Sequence, residues 1–278
     1  MSLASIAKET LEIVERGSYR TAAGRDVSIA SEVARAVAAT VLYRPEELER
    51  LVASPGAGGG PAARVEVTRE TTADAARRLA HDEREPGVAL LNFASARNPG
   101  GGFLNGAKAQ EEDLARRSAL YACLVTQRAY YDTNRAERSL LYTDHIIHSR
   151  DVPFFRDREL ALLEAPFVAS VITAPAPNAG AMLPREPDAG PRIRATLEAR
   201  AAKVLAVAAH RGHRCVVLGA WGCGAFGNDP SVMAEIWSRL LASPRFAGAF
   251  DRVVHAIYAR GPRDGAYEVF CARTGRVP

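Results

Sequence analysis

Asn98-Pro99-Gly100-Gly101-Gly102-Phe103-Leu104-Asn105-Gly106-Ala107-Lys108-Ala109-Gln110-Glu111-Glu112 lies between two segments of different character. Ahead of it, Val88-Ala89-Leu90-Leu91 is the uninterrupted apolar run of a buried parallel strand. Behind it, Asp113-Leu114-Ala115-Arg116-Arg117-Ser118-Ala119-Leu120-Tyr121 has helical spacing. The order is strand, glycine loop, paired carboxylates, helix, and it predicts an α/β protein. Three consecutive glycines let the backbone take positive φ and let a ligand approach main-chain N–H groups that a Cβ would shield. Each half also has a plain reading: a flexible turn, and acidic residues at the positive end of a helix dipole worth roughly 0.3–1 kcal/mol. The combination, with seven residues between Gly102 and Gln110, is far more specific.

Outward from this stretch, strand and helix alternate from Ala63 onward, which predicts a mostly parallel or mixed sheet with helices on both faces. Strands are expected at Arg64–Thr68, Val88–Phe93, 146–152, 167–172, Cys215–Leu218 and 252–258. Helices are expected at 72–81, from Gln110 with a break to Tyr131, at 191–210, 230–241 and 266–273. Before Ala63 the pattern gives a helix over Leu3–Arg16, a short hairpin over 18–29, and helices at 31–39 and 45–52. The breaker-rich Ser54-Pro55-Gly56-Ala57-Gly58-Gly59-Gly60-Pro61 reads as a flexible connection. Its own glycine triplet follows no strand and precedes no carboxylate pair, so it is assigned no chemistry. The expected division is a helical accessory region over 1–62 and a core over 63–278.

A second glycine loop, Leu218-Gly219-Ala220-Trp221-Gly222-Cys223-Gly224-Ala225-Phe226-Gly227-Asn228-Asp229-Pro230, again follows a buried strand and opens a helix, with Asp229 at the N-cap and Pro230 at the first helical position. Four glycines can align main-chain N–H groups into an anion cradle, where a tight turn alone needs one or two. The loop lacks the Gly-Lys-Ser/Thr of a P-loop, which disfavours nucleoside triphosphate hydrolysis. Two such loops at the C-terminal ends of strands should converge on one cleft.

The chain of 278 residues carries a net charge of +4, too modest to argue for direct nucleic-acid binding. Its four cysteines form no Cys-x-x-Cys pair and its six histidines no metal-binding spacing, so neither a metal nor another cofactor is expected. His145 and His148 sit in apolar context and read as structural. Isolated cysteines in apolar runs fit a reducing compartment, and neither a signal peptide nor a membrane span is evident, so the expected location is the cytoplasm.

The glycine triplet, short spacer and Gln-Glu-Glu resemble the bacterial-type poly(ADP-ribose) glycohydrolases, a family with a macrodomain core. The resemblance runs from about Val65 to the C-terminus, and the N-terminal helices also match its bacterial members. It implies a three-layer mixed sheet flanked by helices and a glycosidase that hydrolyses ribose–ribose O-glycosidic bonds, releasing ADP-ribose by exo-cleavage. It implies Glu112 as acid and then base, Glu111 as the contact to ribose hydroxyls, and Gln110 as an orienting residue. By the same likeness Gly222, Cys223, Gly224, Ala225, Phe226 and Gly227 would hold the diphosphate, with Phe226 against the distal ribose. Asn92 matches an asparagine common in macrodomains. Asn98, with Gly100, Gly101 and Gly102, is a candidate ribose contact, and the Pro-rich 173–178 segment a candidate wall of the adenosine pocket. The expected partners are poly(ADP-ribose), ADP-ribose and ADP-ribosylated proteins.

Protonating a departing hydroxyl requires a carboxylic acid that is neutral near pH 7, so desolvation must outweigh the helix dipole for the more buried glutamate. Adjacent helical positions do not face alike, so the division of labour is expected to need an irregular helix entrance. A non-catalytic ADP-ribose reader would need no Gln-Glu-Glu. A hydrolase of mono-ADP-ribosylated protein, or a phosphatase on a macrodomain scaffold, would differ in its products.

Overall fold

The computed structural model describes residues 1–56, 60–258 and 265–274. In chain order its elements are α1 (Leu3–Arg16), β1 (Ser18–Arg20), β2 (Asp26–Ser28), α2 (Ala30–Ala38), β3 (Val41–Tyr43), α3 (Pro45–Ala53), β4 (Arg64–Thr68), α4 (Thr72–Arg77), β5 (Ala89–Phe93), α5 (Gln110–Arg117), α6 (Leu120–Leu124), α7 (Arg128–Ala136), β6 (Ile146–Arg156), β7 (Leu162–Ala174), α8 (Ala179–Met182), α9 (Gly190–His210), β8 (Cys215–Leu218), α10 (Pro230–Ala242), β9 (Arg252–Ala256) and α11 (Gly265–Thr274). Positions 57–59 of the expected connection lie outside the described residues.

Seven strands form one mixed sheet in the order β3-β6-β7-β5-β8-β9-β4. The five from β7 to β4 run parallel, whereas β3 and β7 each pair antiparallel with β6. Alternate residues of β5 face opposite cores. Ala89 and Leu91 belong to the apolar cluster that includes residues of α3, α9, α10 and α11, and Leu90 to the one that includes residues of α2, α4, α6 and α7. Both sides of the strand are therefore buried, which is why its sequence is an unbroken apolar run. The expected three-layer α/β architecture is the one observed.

Two features were not anticipated. β3, from the N-terminal 62 residues, is an edge strand of the central sheet. β6 and β7 run well beyond the expected 146–152 and 167–172, as a long antiparallel ribbon with register shifts near Ser149/Val152 and Phe154/Arg156. Pro153 and Pro166 hid that extension, because proline ordinarily argues against a strand interior and is accommodated at irregular pairings. Among the described residues no helix is long and apolar enough to cross a membrane.

Helix α1 lies against the first glycine loop. Ala7 packs with Phe103 and Ala115, and the Thr10 hydroxyl donates to the Arg116 carbonyl at 2.8 Å. A Cβ on Gly106 would lie 3.3 Å from the Ala4 nitrogen.

Candidate active site

Gln110, Glu111 and Glu112 form the first turn of α5, a regular helix entered from extended Ala109. No irregular entrance is needed, because the three side chains splay by the ordinary helical rotation and the surrounding elements curl around them. Gln110 points back under β5, where its amide nitrogen donates to the Leu91 carbonyl at 2.8 Å and to Thr72 Oγ1 at 3.0 Å. Its amide oxygen accepts from Phe93 N–H at 2.8 Å. Gln110 therefore clamps the end of β5 to the start of α5, with both ends of its amide used.

Glu111 accepts from Asn92 Nδ2 at 3.2 Å on one oxygen and from Ser95 N–H at 2.7 Å on the other. Glu112 Oε1 accepts from Gly102 N–H at 2.8 Å, while its buried Oε2 has no hydrogen-bond partner among the described residues. The glycine triplet thus turns amides inward, onto the carboxylates. Gly101 has φ +59°, and a Cβ there would sit 2.3 Å from Glu112 Oε1 and 3.1 Å from Glu111 Oε2. Only a residue without a side chain lets the loop close on both carboxylates at once. Asn92 is fully buried and also donates to Thr173 Oγ1 at 3.2 Å, leaving its own Oδ1 without a partner among the described residues. Asn98 is exposed, with its N–H on Ser95 Oγ at 3.1 Å and its carbonyl accepting from Gly101 N–H.

Of the pair, Glu111 is the more enclosed, 2% exposed against 8% for Glu112. Burial pushes its carboxyl up to about 8, opposed by the Ser95 N–H, the Asn92 amide and the Gly100 N–H and reinforced by the Glu112 charge. The folded value exceeds the ordinary 4.5, so the stability that burial of the neutral acid allows is complete below pH 4.5. It falls as pH rises from 4.5 to about 8, while only the unfolded chain ionises, and is lost above that. Glu111→Gln cannot ionise, so its thermal midpoint relative to the wild type should rise between pH 4.5 and about 8, from a baseline lowered because its amide nitrogen faces one of two donors, Asn92 Nδ2 or Ser95 N–H. Thermal melts across that range check this, and equal pH dependence of the two proteins would contradict it.

The second loop rises from β8, the parallel neighbour of β5. The N–H groups of Gly224, Ala225 and Phe226 make no hydrogen bond to any described residue, whereas those of Cys223, Gly227 and Asn228 bond to Ala220, Gly224 and Gly222 carbonyls. Three successive free donors, close to the N-terminus of α10, make a cradle for an anion. Gly222 has φ +74°, and a Cβ there would meet Ala176 Cβ at 2.5 Å and Asn228 Nδ2 at 2.6 Å. Asn228 in turn donates to the Pro177 carbonyl at 2.8 Å, which ties the loop to the segment after β7. The Cys223 thiol faces the Trp221 carbonyl and burial pushes it up to about 12, which makes it a poor nucleophile. Asp229 caps α10 through Ser231 N–H at 2.8 Å, as the sequence implied.

The two loops share an anchor. The Ala174 carbonyl, at the end of β7, accepts from Ala94 N–H at 3.3 Å and from the Trp221 indole at 3.2 Å. They are also bridged above it: the Tyr142 ring lies 6.0 Å from the Phe226 ring, and the Arg97 guanidinium lies 5.9 Å from the centre of Tyr142. Sequence reasoning missed Ser95, Thr72, Arg97 and Tyr142, which act through chain-distant contacts that no local pattern encodes, and it placed Thr173 in a candidate adenosine wall without its contact to Asn92. His148 pairs with His213, Nε2 to Nε2 at 2.9 Å, and His145 with Thr143. Among the described residues no group of three or more His, Cys, Asp or Glu could hold a metal ion.

The cradle makes a prediction at two neighbouring glycines. Gly222→Ala should cost at least about 1–2 kcal/mol from the left-handed backbone alone. A Cβ on Gly224 meets nothing within 4 Å. Gly224→Ala should therefore keep stability within about 0.5 kcal/mol, and if the three free N–H groups hold an anion, the added methyl group beside them should weaken its binding. Melting curves and calorimetric titration with inorganic pyrophosphate separate the two effects.

Comparison with known proteins gives one consistent result. The family description of the microbial-type PARG catalytic domain matches residues 7–157. A crystal structure of poly(ADP-ribose) glycohydrolase from Thermomonospora curvata is 49% identical, with a TM-score of 0.93 over 98% of both chains. The same enzyme bound to the inhibitor ADP-HPD is 48% identical, with a TM-score of 0.91 over 98% of both chains. The Deinococcus radiodurans poly(ADP-ribose) glycohydrolase in complex with ADP-ribose is 43% identical, with a TM-score of 0.82 over 87% of this chain and 96% of the other. Comparison with curated protein sequences yields no match.

Proposed function

The chain belongs to the microbial-type poly(ADP-ribose) glycohydrolase family, and on that premise we propose how its cleft hydrolyses the ribose–ribose O-glycosidic bond of poly(ADP-ribose). The diphosphate of the terminal ADP-ribose lies on the free N–H groups of Gly224, Ala225 and Phe226, with Gly222, Cys223 and Gly227 shaping the loop around it. The Phe226 ring packs on the distal ribose and holds its anomeric carbon toward α5. Asn98 and the loop through Gly100, Gly101 and Gly102 border the same sugar, and the 173–178 segment borders the adenosine.

The observation that carries the assignment of roles is the difference between the carboxylates. Both oxygens of Glu111 are engaged by Asn92 and Ser95, whereas Glu112 keeps one buried oxygen without a partner among the described residues. Glu112 is accordingly the working acid and base. It protonates the departing ribose oxygen as the anomeric C–O bond breaks, and then takes a proton from the water that adds to the oxocarbenium-like carbon. Glu111, the more buried of the two, is the carboxyl pushed up to about 8, so the raised value expected for the acid falls on its neighbour; Glu111 hydrogen-bonds the ribose hydroxyls. Gln110 and Asn92 act behind them, fixing the glutamates relative to β5.

We take cleavage to proceed from chain ends, with poly(ADP-ribose) on ADP-ribosylated proteins as the substrate and the cytoplasm as its place. In this reading residues 63–278 carry the chemistry, and residues 1–62 support it by bracing the first glycine loop through α1. Incubating the purified protein with automodified polymerase and separating the products by chromatography tests this. Free ADP-ribose as the sole small product is expected. Oligomers would contradict cleavage from ends, inorganic phosphate would point to a phosphatase, and binding without release would make the protein a reader.

A further inference from the structure

Tyr142 stands out because a tyrosine has been placed where its backbone is unfavourable. It has φ +60°, a region that side chains with a Cβ seldom occupy, and such outliers persist only where surrounding structure enforces them. The enforcement is visible. Arg200, 1% exposed, reaches from α9 to donate to the Leu141 carbonyl at 3.0 Å, the Tyr142 carbonyl at 3.2 Å and the Pro175 carbonyl at 2.8 Å, and it pairs with Asp144 at 2.8 Å. Lys203 pairs with the same aspartate. From the other side, Asn134 of α7 accepts from Thr143 N–H at 2.9 Å, and Asn178 N–H donates to the Leu140 carbonyl at 2.9 Å. Side chains of α7 and α9 and the backbone at Asn178 therefore fix five consecutive residues, Leu140 to Asp144.

The topology explains where the clamped ring ends up. β6 begins where β7 ends, with Ile147 opposite Thr173, and the end of β7 lies beside the end of β5, with Phe93 opposite Ala174. The segment that precedes β6 is thus delivered to the edge of the sheet from which both glycine loops rise. There the Tyr142 ring sits beside Phe226, rings 6.0 Å apart and inclined by 40°, with the guanidinium of Arg97, which immediately precedes the first loop, 5.9 Å from the centre of the same tyrosine. Neither loop contains Tyr142, yet its ring lies beside Phe226 of the second loop and Arg97 immediately before the first.

We propose that Tyr142 is a positioning residue for this hydrolase, a third wall whose strained and clamped ring holds Phe226 and Arg97 in place for the distal ribose of ADP-ribose. The inference rests on the reading of the cleft given above. Tyr142 acts by holding Phe226 against the sugar in the bound state and in the transition state alike, so its loss should weaken binding and leave the chemical step nearly intact.

The test compares Tyr142→Phe, Tyr142→Gly and Tyr142→Asn by ADP-ribose titration calorimetry, thermal unfolding and steady-state kinetics on polymer. Glycine and asparagine accept left-handed backbone more readily than tyrosine, so both relieve the strain while removing the ring. Expected is a loss of ADP-ribose affinity and a rise in KM of about three- to tenfold, the worth of one aromatic pair. kcat should stay within about twofold, and the unfolding midpoint should be no lower than that of the wild type. Tyr142→Phe should bind as the wild type does. Wild-type affinity in both ringless variants would overturn the proposal. So would affinity and midpoint falling together, since that pattern belongs to a merely structural residue. A wild-type protein that binds ADP-ribose but releases none from polymer would instead overturn the hydrolytic reading, and the affinities would still decide the role of Tyr142.

Discussion

Glu112→Gln should lower the rate of ADP-ribose release from polymer by about 10²–10⁴-fold, the range general acid–base catalysis supplies, while ADP-ribose affinity stays within a few-fold of the wild type. The substitution keeps the shape of the side chain, and its amide oxygen can still accept from Gly102 N–H as Glu112 Oε1 does at 2.8 Å. What it removes is the proton that the free Oε2 position exchanges with the leaving oxygen and with water. Single-turnover kinetics and calorimetry on the same preparation separate these quantities. Full turnover in Glu112→Gln would move the chemistry to another residue, and loss of binding equal to the loss of rate would make Glu112 a contact rather than an acid.

Gly101→Ala should be nearly as damaging, although it adds one methyl group and no charge. The new Cβ would stand 2.3 Å from Glu112 Oε1 and 3.1 Å from Glu111 Oε2, and it would impose φ +59° on an alanine. The left-handed conformation alone costs about 1–2 kcal/mol, and the contact can be relieved only by moving the carboxylates or opening the loop. A displacement of about 1 Å at a reacting group costs on the order of 10² in rate. The expected result is therefore a folded protein with a lowered unfolding midpoint and a kcat reduced about a hundredfold, measured by melting curves and turnover. Retained turnover would show that the loop has room to yield.

The strand Val88–Leu91 and the helix opening at Gln110 were legible because burial on both faces writes an unbroken apolar run and a helix start writes acidic residues. The two loops were legible because their glycines are required by close approach, as at Gly101 and Gly222. What the chain did not disclose was how its neighbours would use those loops. The triplet's amides were expected to await a ligand, yet Gly102 N–H is taken by Glu112. The choice between adjacent glutamates rested on resemblance alone, because spacing cannot report that Ser95 and Asn92 occupy one of them. Tyr142 and Arg200 lay beyond reach for the same reason: their meeting depends on a crossover from β7 to α9 and on an antiparallel ribbon whose prolines masked its length. The edge strand β3 was missed because three residues carry too little pattern to distinguish a strand from a turn.

The central claim is that one nucleotide sugar bridges the two glycine loops, with its diphosphate on the second and its anomeric carbon at Glu112. A crystal structure of Glu112→Gln soaked with ADP-ribose measures this directly. The expected density has diphosphate oxygens within about 3.2 Å of the Gly224, Ala225 and Phe226 nitrogens, and the distal anomeric hydroxyl within hydrogen-bond reach of residue 112. A diphosphate bound elsewhere, or a distal ribose directed away from α5, would contradict it.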